Sequence, residues 1–178
     1  EKTQKVNAKP RLGELERGFI VCYKCGASAP LNTLAPLNLH KCCDCSSIFF
    51  VPMKIKNYWL YEPLGGGGMG SVYHAFHERN PSAEFAIKIL PRSRKNDAEL
   101  IETLIGEAEI GSIFGDHPHV SKVYEYGCFD GEYFAAYEYI EGLRLDRIIE
   151  SPLRRTDKEI LLWALQILSA EQHMFDHG

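Results

Sequence analysis

Residues 63–76 read PLGGGGMGSVYHAF, with four consecutive glycines from Gly65 to Gly68 and a fifth at Gly70. The stretches on either side, NYWLYEPL and VYHAF, are rich in aromatic and β-branched residues, which favour strands. A glycine cluster pinched between two strands predicts a tight turn whose backbone can approach a ligand with no Cβ atoms in the way. A flexible linker would run on into Ser, Pro or more Gly, and this stretch does not.

Three glycine motifs compete for residues 65–71. A P-loop needs a lysine after its last glycine, but Ser71 follows Gly70 directly. A dinucleotide-binding turn is met formally by Gly65, Gly67 and Gly70, yet it should open a helix and carry an acidic residue about 20 positions on. Here SVYHAF reads as a strand, and the residue near that position is Lys88. The third motif has a strand before, a strand after, a valine two residues past the last glycine and a lysine in the next strand.

The sequence LGGGGMGSVYHA resembles the glycine-rich loop of protein kinases, in particular bacterial Ser/Thr kinases, in which a hairpin folds over the ATP phosphates. By that resemblance Gly65, Gly67 and Gly70 are the loop glycines and Val72 packs on the adenine. A lone G-x-G-x-x-G is a weak pattern, so its partners decide. In EFAIKIL, residues 84–90, alternation puts Phe85, Ile87 and Ile89 on one face and Ala86, Lys88 and Leu90 on the other. A lysine amid so much apolar surface needs its ammonium in water or paired. The match of FAIK to the kinase V-A-I-K pattern implies that Lys88 holds the α- and β-phosphates and that Ala86 lines the adenine pocket.

Residues 97–114 read as the helix that follows. Stepping by three or four places Leu100, Leu104, Glu107, Gly111 and Phe114 on one stripe, where Glu107 is the only charge. A carboxylate aimed at the core asks for a cation, and Lys88 is the available one; the family's R-E-A matches Gly106-Glu107-Ala108 except for its arginine. Gly106 and Gly111 weaken this helix, each by roughly 1 kcal/mol relative to Ala. Further on, HPHV at residues 117–120 resembles the family's H-P-N-I, and EYFAAYEYIEG resembles its fifth strand and hinge. That resemblance makes Tyr137 the gatekeeper and assigns the Glu138 carbonyl and the Ile140 amide to the adenine edge.

After the hinge, TDKEILLWALQILSAEQHMFDHG resembles the first long helix of the kinase C-lobe. The family's H-R-D and D-F-G motifs, which carry the catalytic aspartate and the magnesium ligands, do not occur before Gly178. This stretch alone is therefore expected not to transfer phosphate. The helix has almost no polar side, so it is expected to be covered by dimerising or by another subunit.

Five of the six cysteines fall in two knots, CYKCG at 22–26 and CCDC at 42–45. Cys22, Cys25, Cys42 and Cys45 give two C-x2-C pairs sixteen residues apart. That spacing suits tetrahedral zinc, with each pair presenting two sulfurs at about 2.3 Å. Gly26 permits the left-handed backbone of such a knuckle. GFIVCYKC and SSIFFVPMKI read as short strands, which makes this a zinc ribbon. Two disulfides are the alternative, suited to a secreted protein, but no secretory pattern opens the sequence. Cys43 stands one residue short of the C-x2-C spacing and is left out; Cys128 reads as a packed thiol and His40 as a surface histidine. A ribbon of about forty residues has too little core to fold without the metal.

Apolar residues make up 45% of the 178 and charged residues 25%, the composition of a globular protein. No apolar run approaches the roughly 18 residues that span a bilayer. The net charge of −4 divides into +5 over residues 1–56 and −9 over residues 57–178. The basic part can touch nucleic acid or a membrane surface or dock on its acidic neighbour; a simple solvated surface is the leading reading and nucleic acid binding a weaker one.

The reading is an α+β chain. An N-terminal extension spans residues 1–17, a zinc ribbon 18–56, a kinase N-lobe with a five-stranded antiparallel sheet and one main helix 57–142, and the start of a C-lobe 143–178. The cofactors implied are zinc and ATP with magnesium, the partners ATP and a protein substrate, and the compartment the cytoplasm. The competing reading is a non-catalytic scaffold, either a pseudokinase or a ribbon that recruits a protein. Intact Gly65, Gly67, Gly70, Lys88 and Glu107 favour the enzyme.

Overall fold

The computed structural model describes residues 9–178. Its centre is a six-stranded antiparallel sheet made of β5 (Met53–Ile55), β6 (Tyr58–Gly67), β7 (Gly70–His77), β8 (Asn80–Ile89), β10 (Glu132–Glu138) and β9 (Val123–Phe129), in that spatial order. The main helix, α2 (Ala98–Phe114), connects β8 to β9. Two short helices, α3 (Leu145–Glu150) and α1 (Leu12–Glu16), and the long α4 (Asp157–His177) complete the helical part.

Alternation along β8 divides the core in two. Ile87, Ile89 and Phe85 join Leu60, Tyr58 and Phe134 on one face of the sheet. Leu90 joins Leu100, Leu104, Ala108 and Val123 on the other, beneath α2. Helix α2 starts where Asp97 accepts a hydrogen bond from the Leu100 amide at 3.3 Å, satisfying one of the unpaired donors of the first turn. Gly111, which weakens the helix by propensity, faces β9 closely: a Cβ there would stand 2.7 Å from Val123 Cγ2. Helix α4 opens on a capping box, with Thr156 and Glu159 each bonded to the other's backbone amide.

The sheet has one strand more than the sequence pattern implies. SSIFFVPMKI is not one ribbon strand but two, because Pro52 interrupts it. β4 (Ile48–Phe50) pairs with β3 (Leu39–Lys41), whereas β5 pairs with β6 through Met53–Leu60 and Ile55–Tyr58. Met53 and Ile55 are buried in the main core, so the large sheet begins ahead of residue 57.

The cysteine module is two hairpins of one design. β1 (Phe19–Val21) pairs with β2 (Ser28–Pro30), and β3 pairs with β4. Each residue of the first has a counterpart twenty positions later: Cys22 and Cys42, Cys25 and Cys45, Gly26 and Ser46. Gly26 and Ser46 both hold left-handed φ, at 78° and 62°, and their amides donate to the Cys22 and Cys42 carbonyls at 2.9 and 3.0 Å.

The module, together with helix α1 just before it, grips the root of the β6–β7 hairpin on both faces. Leu12, Leu15 and Leu31 pack with Trp59, Tyr61 and Phe76 on one side. On the other, Leu37 packs into the core that holds Tyr73, and the Phe50 and Tyr73 rings lie 5.9 Å apart. The charge asymmetry is spent beside the module: Lys9 ahead of it pairs with Glu84, and Lys54 and Lys56 after it pair with Glu78 and Glu125. Among the described residues no helix is long and apolar enough to cross a membrane.

Candidate nucleotide site and cysteine centre

The glycine stretch is a hairpin. Gly67 pairs with Gly70, Gly66 with Ser71 and Gly65 with Val72, leaving Gly68 and Met69 as the turn. Its glycines serve two purposes. A Cβ on Gly70, whose φ is +135°, would stand 2.5 Å from the Ile89 carbonyl oxygen, and one on Gly66 would stand 2.9 Å from Ser71 Oγ. These two are demanded by internal packing. At Gly65, Gly67 and Gly68 nothing lies within 4 Å of the missing Cβ. Their lack of a side chain answers to nothing inside the protein and leaves the hairpin open to an external group.

Beside the hairpin, Val72 lies directly across from Lys88, and Lys88 across from Ala135. Ala86 stands opposite Tyr137 in the same ladder. Directly opposed residues share a face, so Val72, Ala86, Lys88 and Tyr137 line one side of the sheet. Lys88 Nζ lies 2.5 Å from Glu107 Oε2, across 19 residues of chain. The lysine side chain is 15% exposed and the glutamate 48%, so the pair reaches the surface rather than lying in the core. The Tyr137 hydroxyl donates to Glu107 Oε1 at 3.4 Å. Burial first, and the Glu107 charge second, push the Tyr137 phenol up to about 12, so it remains a donor at neutral pH. This second hold on Glu107 is not visible in the sequence, because it requires knowing which way the Tyr137 side chain turns.

At the hinge, the Glu138 amide donates to the Lys122 carbonyl at 2.8 Å, tying β10 to the segment that leads into β9. Ile140 is exposed.

Cys22, Cys25, Cys42 and Cys45 converge, all four sulfurs lying within 4.8 Å of one another. Cys22–Cys45 and Cys25–Cys42 are both 3.6 Å apart. A disulfide needs about 2.05 Å, and all six cysteines are free thiols. Four sulfurs placed about 2.3 Å from one ion would be about 3.8 Å apart, close to the separation found, so the donor set fits a tetrahedral metal. Ser47 hydrogen-bonds to Cys22 at 3.1 Å and to Cys45 at 3.0 Å. That hydroxyl, aided by backbone amides, draws the Cys22 thiol down to about 6, whereas the Cys25 thiol, against the pull of the Ala27 amide, is pushed up to about 12 by its cysteine neighbours and burial. Ser47 carries no sequence signature beyond its place two residues after Cys45. Cys43 is exposed and bonds to Asp44 at 3.0 Å, outside the cluster. Cys128, read as packed, is exposed, because it lies on β9 at the edge of the sheet. His40 is exposed, edge-on to Phe49.

Comparison with known proteins bears on residues 58–178, which match the protein kinase domain family. The serine/threonine-protein kinase PrkC of Bacillus subtilis is 37% identical over 116 residues, covering 65% of this chain and 18% of that protein. The serine/threonine-protein kinase ULK3 of Xenopus laevis is 28% identical over 121 residues, 68% of this chain and 25% of its own length. Among solved structures, the Mycobacterium tuberculosis PknI kinase domain superposes with a TM-score of 0.56 at 25% identity, over 71% of this chain and 50% of that one. The chain thus spans a quarter or less of these curated relatives.

Proposed function

Because the chain belongs to the protein kinase family, we propose that it is the ATP-binding part of a serine/threonine kinase that transfers the γ-phosphate of ATP to a protein Ser or Thr hydroxyl. The observation that carries this reading is the Lys88–Glu107 pair, at 2.5 Å, on the same face of the sheet as Val72 and Ala86. In this reading Gly65, Gly67 and Gly70 let the hairpin backbone lie over the phosphates. Lys88, oriented by Glu107, binds the α- and β-phosphate oxygens. Val72 and Ala86 flank the adenine, Tyr137 closes its back, and the Glu138 carbonyl and Ile140 amide read its edge. Magnesium, held by residues of motifs that this sequence does not contain, supplies charge neutralisation at the phosphates.

The four cysteine thiolates hold Zn2+ in the same proposal. The ion supplies a structural cross-link between the two hairpins, and the basic N-terminal part of the chain docks on the acidic sheet rather than on nucleic acid. Helix α4 leaves Leu161, Leu165 and Leu168 exposed, and this reading has a second copy of the chain cover them. A sedimentation run showing only monomer at high concentration rejects that last point.

The central test is titration with ATP. Wild-type protein binds, and Lys88→Met and Glu107→Gln each weaken binding at least tenfold. Their thermal midpoints stay close to wild type, since a partly exposed ion pair contributes at most about 1 kcal/mol. Binding that ignores both substitutions rejects the assignment.

A further inference from the structure

The nucleotide site as described leaves a buried histidine unused. His74 is 7% exposed, and among the described residues it is the one buried side chain able to carry positive charge. It lies directly across from Ala86, which in turn lies across from Tyr137. His74 therefore belongs to the row of side chains that faces the proposed adenine pocket.

A polar ring buried at this point costs stability unless its edges are satisfied; this one is hydrogen-bonded at Nδ1 but, among the described residues, has no hydrogen-bond partner at Nε2. Its Nδ1 is hydrogen-bonded to the Tyr61 hydroxyl at 2.9 Å and lies 3.5 Å from Glu62 Oε2. Its Nε2 faces Glu84 Oε2 at 3.5 Å. Glu84 is anchored by Lys9 at 3.1 Å; although burial opposes it, Lys9 and His74 together keep that carboxyl below its ordinary range. The flat of the imidazole carries the ring of Tyr139, with centroids 3.9 Å apart and planes inclined by only 17°.

Tyr139 sits between Glu138 and Ile140, whose backbone groups read the adenine edge in the proposal above. Pinning its side chain fixes the peptide units on both sides of it. We propose that His74 is a positioning residue for adenine recognition, acting by stacking Tyr139 against β7 so that the hinge backbone is set before the base arrives. The inference rests on the hinge assignment made above. It adds that the recognition geometry is held from a strand of the sheet and, through Glu84 and Lys9, from the segment preceding the cysteine module. Preorganisation of this kind improves affinity by sparing the ordering of the hinge on binding.

The test compares adenosine, which uses only the hinge, with inorganic tripolyphosphate, which uses only the lysine and the glycine hairpin, by calorimetric titration. His74→Ala weakens adenosine about two- to tenfold, the range that one stacked ring pair commands, and leaves tripolyphosphate unchanged. His74→Phe, which keeps a ring under Tyr139, recovers most of the loss. An equal loss for both ligands marks a general structural role and overturns the inference. Should His74→Ala fail to fold, Tyr139→Leu changes the hinge side of the stack without opening the buried site. It reproduces the selective loss, and unchanged adenosine affinity overturns the inference. Wild-type protein that binds tripolyphosphate but not adenosine rejects the hinge assignment itself, and this inference with it. Wild-type binding of both, with indifferent variants, rejects this inference alone.

Discussion

The Cβ that Gly70 lacks would stand 2.5 Å from the carbonyl oxygen of Ile89, and the φ of Gly70 is +135°. Both facts forbid a side chain: the first by collision with backbone that cannot turn aside, the second by strain. Gly67, its partner across the hairpin, meets neither restriction. Gly70→Ala should therefore cost about 2 kcal/mol or more in stability. Gly67→Ala should leave stability within about 1 kcal/mol of wild type while weakening nucleotide binding. Chemical denaturation and ATP titration of the two variants separate these roles; equal destabilisation by both would show that the hairpin glycines all serve packing.

Gly111 offers a second such contrast with its contact, Val123. By propensity alone, Gly to Ala inside a helix stabilises by about 1 kcal/mol. Here the added methyl would come within 2.7 Å of Val123 Cγ2, and valine has little χ1 freedom with which to move away. Gly111→Ala is expected to destabilise by about 1–3 kcal/mol, the usual cost of overpacking. Adding Val123→Ala should recover part of that loss, as read by urea denaturation of the single and double variants. A Gly111→Ala protein more stable than wild type would mean that α2 shifts freely over β9.

What the sequence discloses, and what it hides, follows the range of the interactions. Strand alternation in EFAIKIL is local, and it assigns Phe85, Ile87 and Ile89 to one core and Leu90 to the other. The two C-x2-C turns are equally local, and each presents two of the four thiols that converge. The strand status of Met53–Ile55 is not local: three residues after a proline join the large sheet only because β6 offers them an unpaired edge. The grip of Leu31 and Leu37 on opposite faces of one hairpin is of the same kind. So is the His74–Tyr139 stack, which joins residues 65 positions apart. Gly111 was legible as a helix weakness; its purpose needed the position of Val123.

The start of α2 carries a pH dependence. Arg94, at 2.6 Å, and then the Leu100 amide hold the Asp97 carboxyl below its ordinary value. A carboxyl whose pKa is depressed on folding adds stability that is present above its unfolded value, about 3.9, and is lost as pH falls through the lower, folded one. Wild-type protein should lose this contribution on acidification below about pH 4. Asp97→Asn, which still caps the helix but cannot ionise, should show a shallower slope there. Thermal midpoints of the two proteins between pH 2 and 6 check this, and parallel curves would remove Asp97 from the account.

Metal removal reaches beyond the cysteines. The core of the module consists of Ile20, Phe49 and Val51 together with Cys22 and Cys42, which are themselves candidate ligands. With so few apolar groups, the module depends on the ion for its fold. Its Leu31, with Leu12 and Leu15 of the helix α1 just before it, in turn covers Trp59, Tyr61 and Phe76 at the root of the glycine hairpin. A strong chelator should therefore release about one zinc per chain, expose Trp59 and red-shift its emission. Amide exchange should rise in β6 and β7, while β9 and β10, on the far side of the sheet, stay protected. Because that hairpin carries Gly65, Gly67 and Val72, nucleotide affinity should fall in parallel and return when zinc is restored. Unchanged tryptophan emission and exchange in the chelated protein would show that the module folds, and holds the hairpin, without a metal.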